Sequence, residues 1–319
     1  MAREALSRRD AAALLVAGLA FAPYARAFEA FNINRSAQGT RLSEPPYAPP
    51  VNIAAVNDLY RRMTAPIRVN GHGPFPFVVD TGSNQTVIAA ELAAHLGLTL
   101  GEPAPLNGVA GVQMAPTTRA RLDVGPRRHR DATLSILSQT DIGGFGLLGL
   151  EDLDGQEITL DFRGQALRIE PGRRSVNDVG AIAVKAHRRN GQLTLVDADL
   201  AGLHVTAFLD SGAQNTIGNM ALRALALTRN PTSPWYETPI ISATGQTIQA
   251  EMADLPRLRV GNLNMPNWPV AFADLHTFRM WNLVDRPAIL LGVDVLSRFE
   301  TVCLDFARDE VRFRLPGAA

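Results

Sequence analysis

Two short triplets in this 319-residue chain carry the residue types that could do chemistry, Asp80-Thr81-Gly82 and Asp210-Ser211-Gly212. Each ends an apolar run, Phe77-Val78-Val79 in the first case and Ala207-Phe208-Leu209 in the second. Each is followed by small and polar residues, a Thr and more apolar residues, Ser83-Asn84-Gln85-Thr86-Val87-Ile88 and Ala213-Gln214-Asn215-Thr216-Ile217. A strand that runs an Asp into a Gly turn presents one carboxylate at its end. Two such units in one chain can present two carboxylates to each other. Like charges that close cannot both ionise, so the pair shares a proton, and one member serves as base while the other serves as acid.

The elements around the triplets repeat as well. A turn precedes each strand, Asn70-Gly71 and Ala201-Gly202, and a helix-like stretch follows, Ala89 to Leu98 and Asn219 to Leu227. Then come Gly-centred turns, Val109-Ala110-Gly111-Val112 and Ala243-Thr244-Gly245-Gln246, and alternating runs, Ala120 to Gly125 and Arg257 to Gly261. Both copies close on apolar-apolar-Gly, Leu147-Leu148-Gly149 (with Glu151-Asp152-Leu153) and Leu290-Leu291-Gly292 (with Asp294-Val295-Leu296). They end in Leu160-Asp161-Phe162 and Leu304-Asp305-Phe306. The shift is about 130 residues at the triplets and about 144 at the closing motif, a long internal repeat.

These motifs, twice over between roughly residues 51 and 315, resemble the aspartic peptidases, closest to their retropepsin-like branch. The resemblance implies an all-β fold of two pseudo-twofold-related β-barrel lobes with a cleft between them. It implies Asp80 and Asp210 as the catalytic dyad, and Thr81 and Ser211 as hydroxyls that brace the opposite lobe. Gly82 and Gly212 would let the loops turn beneath the dyad, and the apolar-apolar-Gly elements would pack under those loops. The Gly-centred hairpins would be flaps over the substrate, with Val109, Gly111, Val112, Thr244 and Gly245 as candidate substrate contacts. Ser83 follows the first triplet where Ala213 follows the second. A hydroxyl there can bond the neighbouring carboxylate in this family, which makes Asp80 the expected ionised partner. Three features depart from the pepsin-like branch: no Tyr in the first flap segment, a single Cys, and a flap-like hairpin in both halves. Symmetric flaps fit a fused retropepsin-like pair. The implied activity is aspartic endopeptidase, acting on polypeptide through an intramolecular dyad in a monomer, with no cofactor and no metal. The alternatives on the same fold are a protein that binds peptides without cutting them, an envelope protein that uses the repeat for assembly, and a dimer in which lobes pair between chains. Loss of an Asp would mark the first of these, and both Asp residues are present.

Composition narrows the rest. The chain is long enough for two packed lobes of about 130 residues. Its 31 basic and 31 acidic residues balance, which argues against nucleic acid as the principal partner. The clusters Arg127-Arg128-His129-Arg130, Arg173-Arg174 and Arg188-Arg189 are short and separated, and read as solvated turns. Cys303 lies in the apolar run Thr301 to Leu304 and reads as a buried, inert thiol. The six His residues show no metal-ligand spacing, and one Cys excludes a cysteine-ligated zinc ribbon.

Residues 1–27 have the layout of a cleaved export signal. Arg8-Arg9 precedes an apolar run from Ala11 to Ala22, and Ala25-Arg26-Ala27 offers small residues for cleavage. About a dozen apolar residues fall short of the roughly twenty that a membrane span needs, so no stable membrane insertion is expected. Ser7-Arg8-Arg9 is similar to a twin-arginine signal, without the usual Phe, and the expected location is periplasmic or secreted. Residues 28–50, with Pro45-Pro46-Tyr47-Ala48-Pro49-Pro50, read as an extended linker. The lobes are expected at 51–175 and 176–319, with the boundary in the turn-rich, unpatterned stretch from Pro171 to Gly180.

Overall fold

The computed structural model describes residues 51–317 apart from 59–60, 84, 152–155, 173–179, 190–191 and 196–197. The export signal, the Pro-rich linker, Asn84, Asp152-Leu153 and most of the expected lobe boundary therefore lie outside the described residues.

The first half folds as a ring of strands. Met63–Val69 pairs with His72–Val79 through the turn at Asn70-Gly71. His72–Val79 pairs in parallel with Gly146–Leu148, which pairs with Val87–Ala89, which pairs in parallel with Arg127–Leu137. Arg127–Leu137 pairs with Val112–Val124, and this long strand returns to Met63–Val69, matching Ile67 to Val124. Closing the sheet on itself leaves Ala65, Ile67, Val69, Phe77, Ile88, Leu122 and Leu134 buried inside. Val112–Val124 alternates in two phases, with Ala115 and Thr117 inward, then Thr118, Ala120, Leu122 and Val124, the pattern shifting by one where Thr117 and Thr118 are both buried.

The second half repeats these pairings. Gln192–Leu195 and Ala198–Leu200 pair with Thr206–Leu209 and Leu203–His204. Thr206–Leu209 pairs in parallel with Ala288–Leu291, which pairs with Ile217–Gly218, which pairs in parallel with Leu263–Phe272. Leu263–Phe272 pairs with Thr247–Val260, and that strand returns to Ala198–Leu200. A cluster of Phe208, Phe278 and Trp281 packs this lobe, with Phe208 edge-on to both neighbours at centroid distances of 5.7 and 4.3 Å. The expected helices are Ala90–His95 and Met220–Arg229, the second capped by Asn219, whose side chain accepts from Leu222 N.

A six-stranded antiparallel sheet joins the halves, in the order Val51–Ala54, Ala166–Pro171, Gln156–Asp161, Thr301–Asp305, Glu310–Arg314, Ala181–Arg189. Its two central strands carry the closing motifs of the repeats. Ile158 faces Leu304 and Leu160 faces Val302, pairs that exchange under the repeat's own shift. The local twofold therefore passes between Thr159 and Cys303. Arg312 ties this sheet together from inside, meeting Glu157 Oε2 at 2.6 Å, Asp305 Oδ2 at 3.0 Å and Glu310 Oε1 at 3.2 Å. All four side chains are buried. Cys303 is buried beside them, with Arg312 Nη2 3.1 Å from its sulfur, and burial, then the Glu157 charge, pushes its thiol pKa up.

Candidate active site

Each triplet sits where a strand of its ring ends against the apolar-apolar-Gly strand. Asp80 N donates to Leu148 O and Asp210 N to Leu291 O, both at 2.9 Å. Behind each loop a buried Thr completes the support: Gly149 N donates to Thr86 Oγ1 and Gly292 N to Thr216 Oγ1, both at 3.1 Å. The acid two residues past each Gly holds that Thr, in two different ways. Glu151 Oε1 accepts from Thr86 N at 2.8 Å, whereas Asp294 Oδ1 accepts from the Thr216 hydroxyl at 2.8 Å. The signal for these supporting residues in the sequence is the recurrence of Thr and acid at equivalent places of the two repeats.

The loops are tied to each other reciprocally. Thr81 Oγ1 donates to Leu209 O at 3.1 Å and accepts from Ser211 N at 2.9 Å. Ser211 Oγ donates to Val79 O at 2.6 Å and accepts from Thr81 N at 3.1 Å. Both side chains are fully buried. Four hydrogen bonds thus cross from one half to the other directly beneath the triplets.

The same exchange governs the glycines. A β-carbon at Gly212 would lie 2.5 Å from Asp80 Cγ, and one at Gly82 would lie closer still to the Asp210 carboxylate. Only glycine lets each loop pass so near the opposite carboxylate. The two carboxyl groups consequently lie close enough for each to feel the other's charge.

Asp80 is held well above the usual carboxylate range, first by burial and then by the neighbouring Asp210 charge. Asp210 is also raised by burial, but the N–H groups of Ala213 and Gly212, together with the Asp80 carboxyl, pull it back down. Asp210 Oδ1 accepts from Gly212 N at 2.9 Å and Ala213 N at 3.0 Å, while among the described residues Asp80 Oδ1 accepts from Gly82 N, at 2.9 Å. This reverses the expectation that Asp80 is the ionised partner. The Ser83 hydroxyl, on which that expectation rested, donates to Gln85 O at 2.7 Å. It is spent on its own loop, and among the described residues more backbone donors meet Asp210, which favours the charge there. Arg62 adds a cation felt by both carboxyls. It is buried, paired with Asp58 at 2.7 Å and donates to Ile142 O at 3.1 Å. No pattern in the sequence marked it.

Both Gly-centred turns are tips of long hairpins. Leu100–Asn107 pairs with Val112–Val124, and Trp235–Ile241 with Thr247–Val260. The tips meet: a β-carbon at Gly108 would lie 2.5 Å from Thr244 Oγ1 and 2.9 Å from Gln246 Oε1. Each tip also touches the other half. Val109 O accepts from His276 N at 2.7 Å, and Val109 packs on the apolar cluster of the second lobe. Gly245, with φ of 74°, lies against the Asp141 carboxylate of the first. Of the apolar flap residues, Val109, Ile240 and Ile248 are half-buried against that cluster, whereas Val112, Met114 and Ile241 are more than half exposed. Gly111 lies in the first tip, where Gly108 N donates to its carbonyl at 2.8 Å.

The arrangement is a close pair of carboxyl groups, one buried and one half-buried, braced by the two hydroxyls of the opposite loops. The sequence profile of the aspartyl protease family matches residues 65–151 and, a second time, residues 196–295. Together these cover more than half of the chain, one match on each ring of strands. No curated protein matches the sequence. Two repeats that each supply one aspartate, one bracing hydroxyl and one hairpin, and that meet at a twofold, place the chain in the aspartyl protease family, in its retropepsin-like branch.

Proposed function

We propose that this protein is an aspartic endopeptidase whose dyad is Asp80 and Asp210, completed within one chain. The observation that carries the reading is the reciprocal approach of the two carboxyl groups over Gly82 and Gly212. Asp210, ionised, takes a proton from a water held between the pair. Asp80, protonated, donates a hydrogen bond to the scissile carbonyl, so attack of the water oxygen and polarisation of the carbonyl occur in one step. The tetrahedral intermediate collapses as Asp210 passes the proton it took from water to the leaving nitrogen, the C–N bond breaks, and Asp210 is ionised again. No covalent enzyme intermediate forms. Val109, Gly111, Val112, Thr244 and Gly245 contact the polypeptide from above, and their tips must part for it to enter. The test is incubation of the protein from residue 28 onward with a mixed peptide library at several pH values, read by mass spectrometry. Cleavage by wild type, with a loss of about a hundredfold or more in Asp80→Asn and in Asp210→Asn, is expected. Binding of peptides without cleavage at any pH would favour the non-cutting alternative.

The place of action in this reading is the periplasm or the outside of the cell. It rests on Arg8-Arg9, the apolar run to Ala22 and the small residues at Ala25 and Ala27. Among the described residues no helix is long and apolar enough to cross a membrane. N-terminal sequencing of fractionated cells should find a chain starting near Phe28 outside the cytoplasm. Uncleaved chain confined to the cytoplasm would refute this placement.

A further inference from the structure

An open cleft of about 570 Å³ lies at the base of the second flap hairpin, lined by Arg223, Leu227, Pro231, Ser233, Trp235 and Glu251 among others. Its floor is an arginine that is only 4% exposed. The Arg223 guanidinium stacks over Phe272, 5.6 Å from the ring centroid, and Nε donates to Glu251 at 3.2 Å. Among the described residues its two terminal nitrogens, Nη1 and Nη2, have no hydrogen-bond partner. Ser233 is also buried, at 8% exposure, and its hydroxyl has no hydrogen-bond partner. A nearly buried guanidinium with unused donors, beside an unused hydroxyl, is matched by an oxyanion. The acidic neighbours limit which oxyanion. Glu251 is one-third exposed, and the exposed Glu237 stands cross-strand from it. A dianionic phosphate would be repelled by this pair. A monoanionic carboxylate with an N–H beside it would satisfy both sides, with oxygens to Arg223 and Ser233 and N–H to Glu251. The walls of Trp235, Leu227, Pro231 and Pro234 suit an apolar side chain. The cleft exceeds the volume of one residue. Trp235–Ile241 starts beside it and, among the described residues, is paired on one side only, with Thr247–Val260, so its other edge can take an extended segment leading into the cleft.

From these features we infer that the cleft binds the carboxyl-terminal residue of a polypeptide, holding the terminal carboxylate on Arg223 and Ser233 and the preceding backbone along the edge of the second flap. The site does not rest on the hydrolytic reading. It joins the helix Met220–Arg229 to both strands of the hairpin, so an occupant bridges the flap to its lobe.

Isothermal titration of the protein with acetyl-Ala-Ala-Leu, its C-terminal amide and free leucine tests the site, with Asp210→Asn, Arg223→Met and Ser233→Ala alongside wild type. The free-acid peptide should bind wild type and Asp210→Asn equally, and the amide about tenfold or more weaker, the scale of a lost charge-assisted pair. Arg223→Met should lose about as much as the amide does, and Ser233→Ala a few-fold. If Arg223→Met does not fold, the amide comparison and Ser233→Ala decide. Equal binding of amide and acid, or no binding of the acid, would overturn the site. Loss of binding in Asp210→Asn would also overturn it, by placing the peptide in the dyad cleft, and so would free leucine binding as tightly as the peptide.

Discussion

At the scale of single residues, the dyad is two chemically identical groups made unequal by their loops. Among the described residues Asp210 collects two backbone N–H groups where Asp80 collects one, and the proposed mechanism accordingly keeps the shared proton on Asp80. Both triplets were legible in the sequence because each is a strand ending in a turn and because they occur twice. Which Asp is ionised was not legible, since it depends on where the Ser83 hydroxyl points, and that hydroxyl had a carbonyl of its own loop within reach. A pH dependence follows. Asp80 has a folded pKa above its unfolded value of about 3.8. The folded state therefore binds the extra proton, and the stability tied to it, present below the unfolded pKa, is lost as pH rises through the folded one. Asp80→Asn removes that titration. Its melting temperature should match wild type near pH 3 and exceed it increasingly toward neutral pH, as followed by thermal unfolding across pH. A constant offset between the two proteins would show that Asp80 has no raised pKa. In activity, the wild type should give a bell-shaped profile, rising as the first proton leaves the pair and falling as the second leaves, with apparent pKa values that belong to the pair.

At the scale of elements, two ties hold the halves in register, and they differ in how visible they were. The hydroxyl brace was expected from the triplets themselves. Ser211→Ala leaves Val79 O and Thr81 N without their partner in a dry place, which should cost about 1–3 kcal/mol in denaturant unfolding and lower the peptidase rate as well. The six-stranded sheet was not foreseen. Its Leu-Asp-Phe strands were recognised only as repeat ends, and they pair with each other across the two halves, while Val51–Ala54 and Ala181–Arg189 reach Ala166–Pro171 and Glu310–Arg314 from far away in sequence, where no local pattern reports pairing. The outer flap strand Leu100–Asn107 was hidden for another reason. Pro103 and Pro105 argue against a strand interior, but this strand is an edge, where a missing N–H costs no ladder bond. The buried Arg312 is the test of the sheet. Arg312→Met leaves the Glu157 and Asp305 carboxylates in the interior without their cation, while Glu310 keeps Arg308 and Lys185, and should cost about 3–5 kcal/mol in equilibrium unfolding. A loss below about 1 kcal/mol, the worth of an exposed pair, would mean that water reaches these groups.

At the scale of the whole molecule, the protein is a duplicated half whose copies meet at a twofold, so that one chain supplies what two identical chains would otherwise contribute. The all-β class, the two lobes and the two hairpins were readable because a repeat of that length carries its own internal check. The closure of each ring was not, because Ile67 meeting Val124 and Ala198 meeting Val260 are consequences of tertiary packing. The central claim is that Asp80 and Asp210 act together inside one chain. Its most direct test is a mixing experiment, in which peptidase activity is measured for wild type over a wide concentration range and for an equimolar mixture of Asp80→Asn and Asp210→Asn. An intramolecular dyad predicts constant specific activity for wild type down to the lowest concentration and none for the mixture. Recovery of activity on mixing the two variants would show that aspartates from different chains combine, and substantial activity in either variant alone would show that the dyad is not the catalyst.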